Sequence, residues 1–331
     1  MAQKGSQVDA KRLVRGLSDG RNRRGTSIGL RASHIRKAAR RGWRQPTLRK
    51  VITADFTSDQ DGLKIVSYEW PTGVEPVRGV VQVAHGLAEH SLRYARLAEA
   101  LNAAGYHVGS TDHRGHGRSI VETPGDFGEA GFPALWRDVV QYGAILRAAH
   151  PGLPLYLIGH SMGSFAAQNL LLESSDAYDG VVLSGSTAID VMAANMGSAP
   201  AGDLSAFNAG FEPRTGYEWL TRDEAEVDKY VADPLCGFAL PASTTPALFA
   251  NGERLANPTS VRHDLPLLII SGSDDPLAGG GQLTELVGTR YEDAGVADVT
   301  VKVYPGARHE VFNEINRDEI TADVISWLQS H

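Results

Sequence analysis

Pro154-Leu155-Tyr156-Leu157-Ile158-Gly159-His160-Ser161-Met162-Gly163 is an apolar run that breaks into a G-x-S-x-G pattern. Met162–Glu173 then carries apolar residues at helical spacing, so the motif falls between a buried strand and a helix. A chain that turns this sharply brings the flanking side chains into collision. Glycine at 159 and 163 removes them, and the turn lifts the hydroxyl of Ser161 clear of the sheet. The plainer reading is a glycine-rich strand-to-helix connection without chemistry; the motif's place between the two elements favours an exposed nucleophile.

Outward from this point the same rhythm repeats. Gly79–Ala84, Tyr106–Thr111, Gly180–Leu183, Pro266–Ile270 and Val299–Tyr304 are short β-branched runs of the kind buried in parallel sheets. Leu63–Trp70 alternates before the turn Pro71-Thr72-Gly73 and reads as an early hairpin-type strand. Tyr94–Ala104, Phe132–Ala149, Met162–Glu173 and Ile320–Leu328 have helical spacing and the lengths of crossovers. The fold class is therefore α/β, a mostly parallel central sheet flanked by helices. From Ile189 to Arg262 the rhythm stops; Met192, Met196, Phe207, Phe211, Tyr217, Trp219, Phe238 and Phe249 are scattered there, and the segment reads as an inserted cap.

Composition divides the chain. Residues 1–50 hold 15 Lys and Arg against Asp9 and Asp19, although the whole chain of 331 residues has a net charge of −7. That arm lacks the apolar content to offset chain entropy and reads as unstructured, with 51–331 as the folded domain. A second reading of the arm is that Ile28, Leu30, Ile35 and Trp43 among its cations touch an anionic membrane surface. No run of 18 apolar residues occurs, the N-terminus lacks a secretory apolar core, and the single Cys236 excludes an internal disulfide. A cytoplasmic protein, at most peripheral to a membrane, is expected, with no specific nucleic-acid binding.

A serine hydroxyl needs a base to take its proton and a third group to fix that base's tautomer. His309 lies in the loop that follows Val299–Tyr304, whereas His263 precedes a strand and His34 and His331 lie near the chain ends. The acid follows the preceding strand, where Ser271-Gly272-Ser273-Asp274-Asp275-Pro276 offers two adjacent candidates that local composition does not separate. An acyl-transfer site also needs donors for the oxyanion, each worth about 3–4 kcal/mol. The N–H of Met162, just after the nucleophile, and that of Leu87, after His85-Gly86, are expected to supply them.

His85-Gly86-Leu87-Ala88-Glu89-His90-Ser91-Leu92-Arg93-Tyr94, Asp112-His113-Arg114-Gly115-His116-Gly117-Arg118-Ser119 and Gly159–Gly163 together resemble the monoacylglycerol lipase and lysophospholipase-like group of α/β hydrolases, which includes serine aminopeptidase-like proteins. The resemblance covers about residues 54–330. It implies the α/β-hydrolase fold, places the acid at the fourth position of Gly272–Asp275, and supports Leu87 as an oxyanion donor. The substrate it implies is a small lipid or ester, a monoacylglycerol or lysophospholipid, cleaved without a cofactor. The cap matches no particular lid of that group.

Rival readings remain beside it. His113 and His116 in a glycine-containing loop are poorly placed for metal, and no dinucleotide or Walker signature occurs. An aminopeptidase needs acids to hold a free amino terminus, for which the cap offers Glu212, Glu218, Asp223, Glu224, Glu226 and Asp228. A dehalogenase or epoxide hydrolase on this scaffold needs Asp where Ser161 stands. A ligand-binding protein that keeps the fold without turnover is the non-enzymatic alternative.

Overall fold

The computed structural model describes residues 51–196 and 204–331; the expectations for the basic arm lie outside the described residues. Eight strands form one sheet: β1 (Ile52–Thr57), β2 (Lys64–Trp70), β3 (Gly79–Ala84), β4 (Tyr106–Thr111), β5 (Leu155–His160), β6 (Gly180–Ser184), β7 (Leu267–Gly272) and β8 (Val299–Tyr304). Their order is β1-β2-β4-β3-β5-β6-β7-β8, antiparallel at the first two junctions and parallel at the rest. The sheet is the mostly parallel one expected, with one strand more at its edge. β1 escapes sequence reading because nearly all of it is exposed, so no buried face imposes a period.

Five helices cover the sheet: α1 (Ala95–Ala103), α2 (Gly131–Ala149), α3 (Met162–Ser174), α7 (Gln282–Asp293) and α8 (Arg317–Ser330). Alternation along the strands sorts them. Val80, Leu157, Val181 and Ile269 face a core with α2, α3 and α7, while Val81, Ile158, Val182 and Ile270 face α1 and α8. With both faces covered, β3, β5, β6 and β7 are buried at every position, which is why they read as continuous apolar runs.

Between β6 and β7 the chain leaves the sheet to build the cap, with α4 (Ile189–Met196), α5 (Glu224–Ala232), α6 (Thr244–Phe249) and short 3-10 turns, and no described strand. The sequence turns back at β3, which pairs with β4 on one side and β5 on the other. Loops leaving β3 and β5 therefore part at a crevice beyond the carboxyl ends of the strands, where open α/β sheets bind ligands. Among the described residues no helix is long and apolar enough to cross a membrane.

Buried polar groups tie the loops beneath this crevice. The Arg114 guanidinium, fully buried, donates to Asp138 and to Asp61, joining the loop after β4 to α2 and to the β1–β2 turn. Beside it His85, His113 and His116 pack with ring centroids 4.1 and 5.4 Å from His85. Burial keeps these rings neutral, His116 down to about 3, and holds His160 at about 4. In the unfolded chain such rings protonate near pH 6.5, so the stability they allow above that pH is lost as pH falls toward their folded values. His309 acts oppositely, because its folded pKa is raised. Four lowered rings outweigh one raised ring: the urea midpoint is expected to fall from pH 7 to pH 5, at about 1.4 kcal/mol per pH unit for each net proton. A midpoint that is flat or rises across that interval contradicts this assignment.

Candidate active site

Ser161 sits between β5 and α3 with φ 51° and ψ −118°, one of two non-glycine residues at positive φ among the described residues. The two motif glycines are required by contact. A Cβ on Gly159 would lie 2.5 Å from the Gly163 carbonyl oxygen, and one on Gly163 would lie 2.1 Å from that of Ala84. The strained residue is held on both sides: its N–H donates to the Ser184 carbonyl at 2.9 Å, and its own carbonyl accepts from the N–H groups of Ser164 and Phe165. The Ser161 side chain is only half-buried, against a fully buried surround.

The loops after β7 and β8 interlock. Gly272 lies so near the second loop that a Cβ would meet the Ala307 carbonyl oxygen at 1.9 Å, and the Asp274 N–H donates to that same oxygen at 2.9 Å. Across this junction His309 Nδ1 donates to Asp275 Oδ2 at 2.8 Å, while Asp275 Oδ1 accepts from the Leu277 N–H at 2.9 Å. Both side chains are buried. Asp274 is exposed and accepts only a hydroxyl bond from Ser273. Of the two aspartates the geometry therefore joins Asp275 to the histidine.

Burial disfavours a charged His309, but the Asp275 carboxylate beside it outweighs burial and raises its pKa above the usual 6.5. His160, its ring 4.9 Å from His309, is held neutral and so adds no opposing charge near neutral pH. His309 Nε2 is buried with no hydrogen-bond partner. Ser161, His309, Leu87 and Met162 all line one cavity, while Asp275 is buried behind His309 and does not reach it. Met162 opens α3, and a helix's first N–H groups have no partner within the helix.

Three residues that sequence reasoning did not assign organise this cavity. The Glu89 carboxylate accepts from the Gly86 N–H at 2.5 Å and from the Tyr94 hydroxyl at 2.7 Å, fixing the loop that carries Leu87. Largely buried Arg93 donates to Glu89 and, with both terminal nitrogens, to Glu310 at 2.6 and 2.7 Å. One guanidinium thus joins the Leu87 loop to the residue after His309. Burial opposes the Glu89 charge, yet Arg93 prevails and brings its pKa to about 2. The i, i+4 spacing of Glu89 and Arg93 was visible in sequence; their link to Glu310 is long-range and was not.

The cap closes the cavity with Met192, Leu204, Phe207, Trp219, Leu248 and Phe249. Tyr230 of α5 lines it as well, whereas Phe211 lies under Arg308 and the Tyr217 hydroxyl donates to the Gly237 carbonyl. Cys236 is buried, and burial pushes its thiol far up. Four of the six cap acids are engaged elsewhere: Asp223 with Arg317, Glu226 with Arg96, Asp228 with Arg214, and Glu218 with Thr215 and Asn208. None of the six acids considered for an amino terminus lines the cavity. His113 and His116 belong to the packed ring cluster; the described residues that could group about a metal are His90, Asp233 and Cys236, where His90 already bonds Asp233 at 3.0 Å.

Residues 75–316 match the family described as "Serine aminopeptidase, S33". The chain is 34% identical to a monoacylglycerol lipase of Mycolicibacterium smegmatis over 82% of its own length and 94% of that protein's, and 31% identical to the human monoglyceride lipase over 80% and 85%. A thermostable carboxyl esterase from Bacillus coagulans, solved with glycerol, superposes with a TM-score of 0.74 at 27% identity, covering 85% of this chain and 99% of that one. A soluble variant of the monoglyceride lipase from Saccharomyces cerevisiae, solved with a substrate analogue, gives 0.69 at 25% identity, covering 87% and 97%. With the family match over most of the chain and the relatives aligned almost end to end, this protein belongs to the monoacylglycerol lipase-like family of α/β hydrolases and is a carboxylic ester hydrolase.

Proposed function

We propose that Ser161, His309 and Asp275 form a catalytic triad that hydrolyses monoacylglycerols through an acyl-enzyme. The observation that carries this reading is the bonded Asp275–His309 pair, whose histidine, with Nε2 unpartnered, lines the same cavity as the strained Ser161. His309 Nε2 takes the hydroxyl proton as Ser161 Oγ attacks the ester carbonyl. The tetrahedral oxyanion is met by the N–H groups of Leu87 and Met162. On collapse His309 returns the proton to the departing alcohol oxygen and the acyl group stays on Ser161. Water, deprotonated by His309, then attacks the acyl carbonyl; the fatty acid leaves and the proton goes back to Ser161. Asp275 holds the imidazole in the Nδ1–H tautomer and offsets its charge.

The apolar cap wall suits an acyl chain, and the polar end of the cavity suits an uncharged head. Among the described residues no lysine or arginine lines the cavity, and Glu89 and Glu310 do, which disfavours the phosphate of a lysophospholipid. Those two carboxylates are already bonded to Arg93, which leaves neither free for the ammonium of a peptide amino terminus. The relatives named as monoacylglycerol and monoglyceride lipases support the same choice. Because such lipids gather in membranes, residues 1–50 with their 15 cations are a proposed contact with an anionic surface of a cytoplasmic enzyme.

With monoacylglycerol, lysophospholipid, short-chain ester and aminoacyl amide compared by kcat/KM, monoacylglycerol is expected to lead. Ser161→Ala should lose on the order of 10⁴ to 10⁶ in kcat. Asp275→Asn should lose about 10⁴ through the wrong tautomer, and Asp274→Asn should stay within about twofold. Aminoacyl amide turnover alone, or near wild-type rates in Ser161→Ala, would overturn the reading. The pH profile is a separate check. The base must be neutral, and its pKa is raised, so the acid limb of kcat/KM is expected to turn above pH 6.5. A limb centred well below 6.5 contradicts the assigned base.

A further inference from the structure

Among the described residues that line the cavity, two carry a buried nitrogen without a hydrogen-bond partner: His309 Nε2 and Trp219 Nε1. A buried donor left unpaired is costly, so such an atom calls for a partner that arrives with the ligand. His309 has its explanation in the proposed reaction. Trp219 has none yet.

The indole is firmly placed. Trp219 lies in the 3-10 turn Glu218–Leu220 of the cap; its backbone N–H donates to Asn208 Oδ1 at 3.0 Å, and its carbonyl accepts from the His309 backbone N–H at 3.3 Å. The next carbonyl, Leu220, accepts from the Glu310 N–H at 2.7 Å, and Arg308 donates to the Glu218 carbonyl at 2.7 Å. The ring packs between Phe207, centroids 5.2 Å apart, and His309, 5.0 Å apart at 37°. Every anchor of this turn is therefore on the loop that carries the base, or within the cap beside it.

We propose that Trp219 is a specificity-determining residue whose indole N–H donates to a hydroxyl oxygen on the alcohol part of the substrate. The inference rests on the proposed triad, because that reading decides which part of the ester lies here. His309 hands its proton to the departing alcohol oxygen, so the alcohol part lies against the imidazole, and Trp219 covers that imidazole from the cap. An indole N–H donates and never accepts, so its partner must present a lone pair. A glyceryl ester has hydroxyls near the leaving oxygen. An ethyl ester of the same acid has none, and leaves the donor unpaired. Sites built to bond a hydroxyl discriminate against analogues that lack it.

The test uses the full chain and two esters of one fatty acid, the monoacylglycerol and the ethyl ester. Wild type is expected to favour the monoacylglycerol by at least about tenfold in kcat/KM, the worth of one hydrogen bond. Trp219→Phe keeps an aromatic ring and removes the N–H, and is expected to cut that ratio about tenfold. A ratio unchanged in Trp219→Phe, both constants having moved together, would show a packing role and overturn the assignment. Equal constants for the two esters in wild type would overturn it without any variant. Turnover of neither ester would overturn the proposed triad and this inference together, whereas ester turnover with an unchanged ratio removes only the role of Trp219.

Discussion

The contact between the start of α3 and the ends of β3 and β5 sets the terms for everything else in the molecule. Ser161 holds a backbone conformation that costs on the order of 1–3 kcal/mol for a residue with a side chain. It persists because Gly159 and Gly163 let the backbones close to distances that any Cβ would forbid, and because the bonds to Ser184, Ser164 and Phe165 leave the turn no softer alternative. The burial of β5 and of the first ten residues of α3 supplies the rigidity, since β5 packs into both cores and α3 into the one it shares with α2 and α7. The two faces of the sheet are in this sense the support of one hydroxyl.

Around that point the charges are arranged in two neighbouring groups. Asp275 faces His309 and raises its pKa, whereas His160, packed against the same imidazole, is kept neutral by burial. One cation beside one carboxylate is then the arrangement when His309 protonates. The second group is Glu89, Arg93 and Glu310, in which a single guanidinium satisfies two buried carboxylates. Breaking such a cluster leaves an unpaired buried charge, which is costlier than the intact group is stabilising. Its members come from the loop after β3, the turn before α1 and the loop after β8, so it holds the Leu87 loop and the His309 loop in one frame.

Seven of the eight strands were legible in the sequence, because burial on one or both faces imposes a pattern that composition reveals. β1 was not, since Ile52-Thr53-Ala54-Asp55-Phe56-Thr57 has almost no buried face to mark it. α7 also went unmarked: Thr284, Val287, Gly288 and Tyr291 form its buried face, and at Gly288 a Cβ would come within 2.4 Å of Val301, so the helix docks by smallness rather than by an apolar stripe. Ser161 and His309 could be chosen from motif and chain order. Asp274 and Asp275 could not be separated by residue type, because the distinction lies in which carboxylate the Gly272–Ala307 contact turns inward. The segment between β6 and β7 shows in sequence only as a loss of rhythm, and which of its aromatics face the cavity depends on tertiary packing that no local pattern encodes. Trp219 and Phe207 do; Phe211 and Tyr217 do not.

If Ser161 is the residue that carries the acyl group, it must also be the residue that reacts with an ester-mimicking organophosphonate, because only a hydroxyl with a base and oxyanion donors is reactive enough. Intact-mass analysis followed by peptide mapping of the labelled protein reads this directly. A single adduct on the peptide containing Gly159-His160-Ser161-Met162-Gly163, accumulating in step with the loss of ester hydrolysis, is the expected result. An adduct on another residue, or full loss of hydrolysis with Ser161 unmodified, would contradict it.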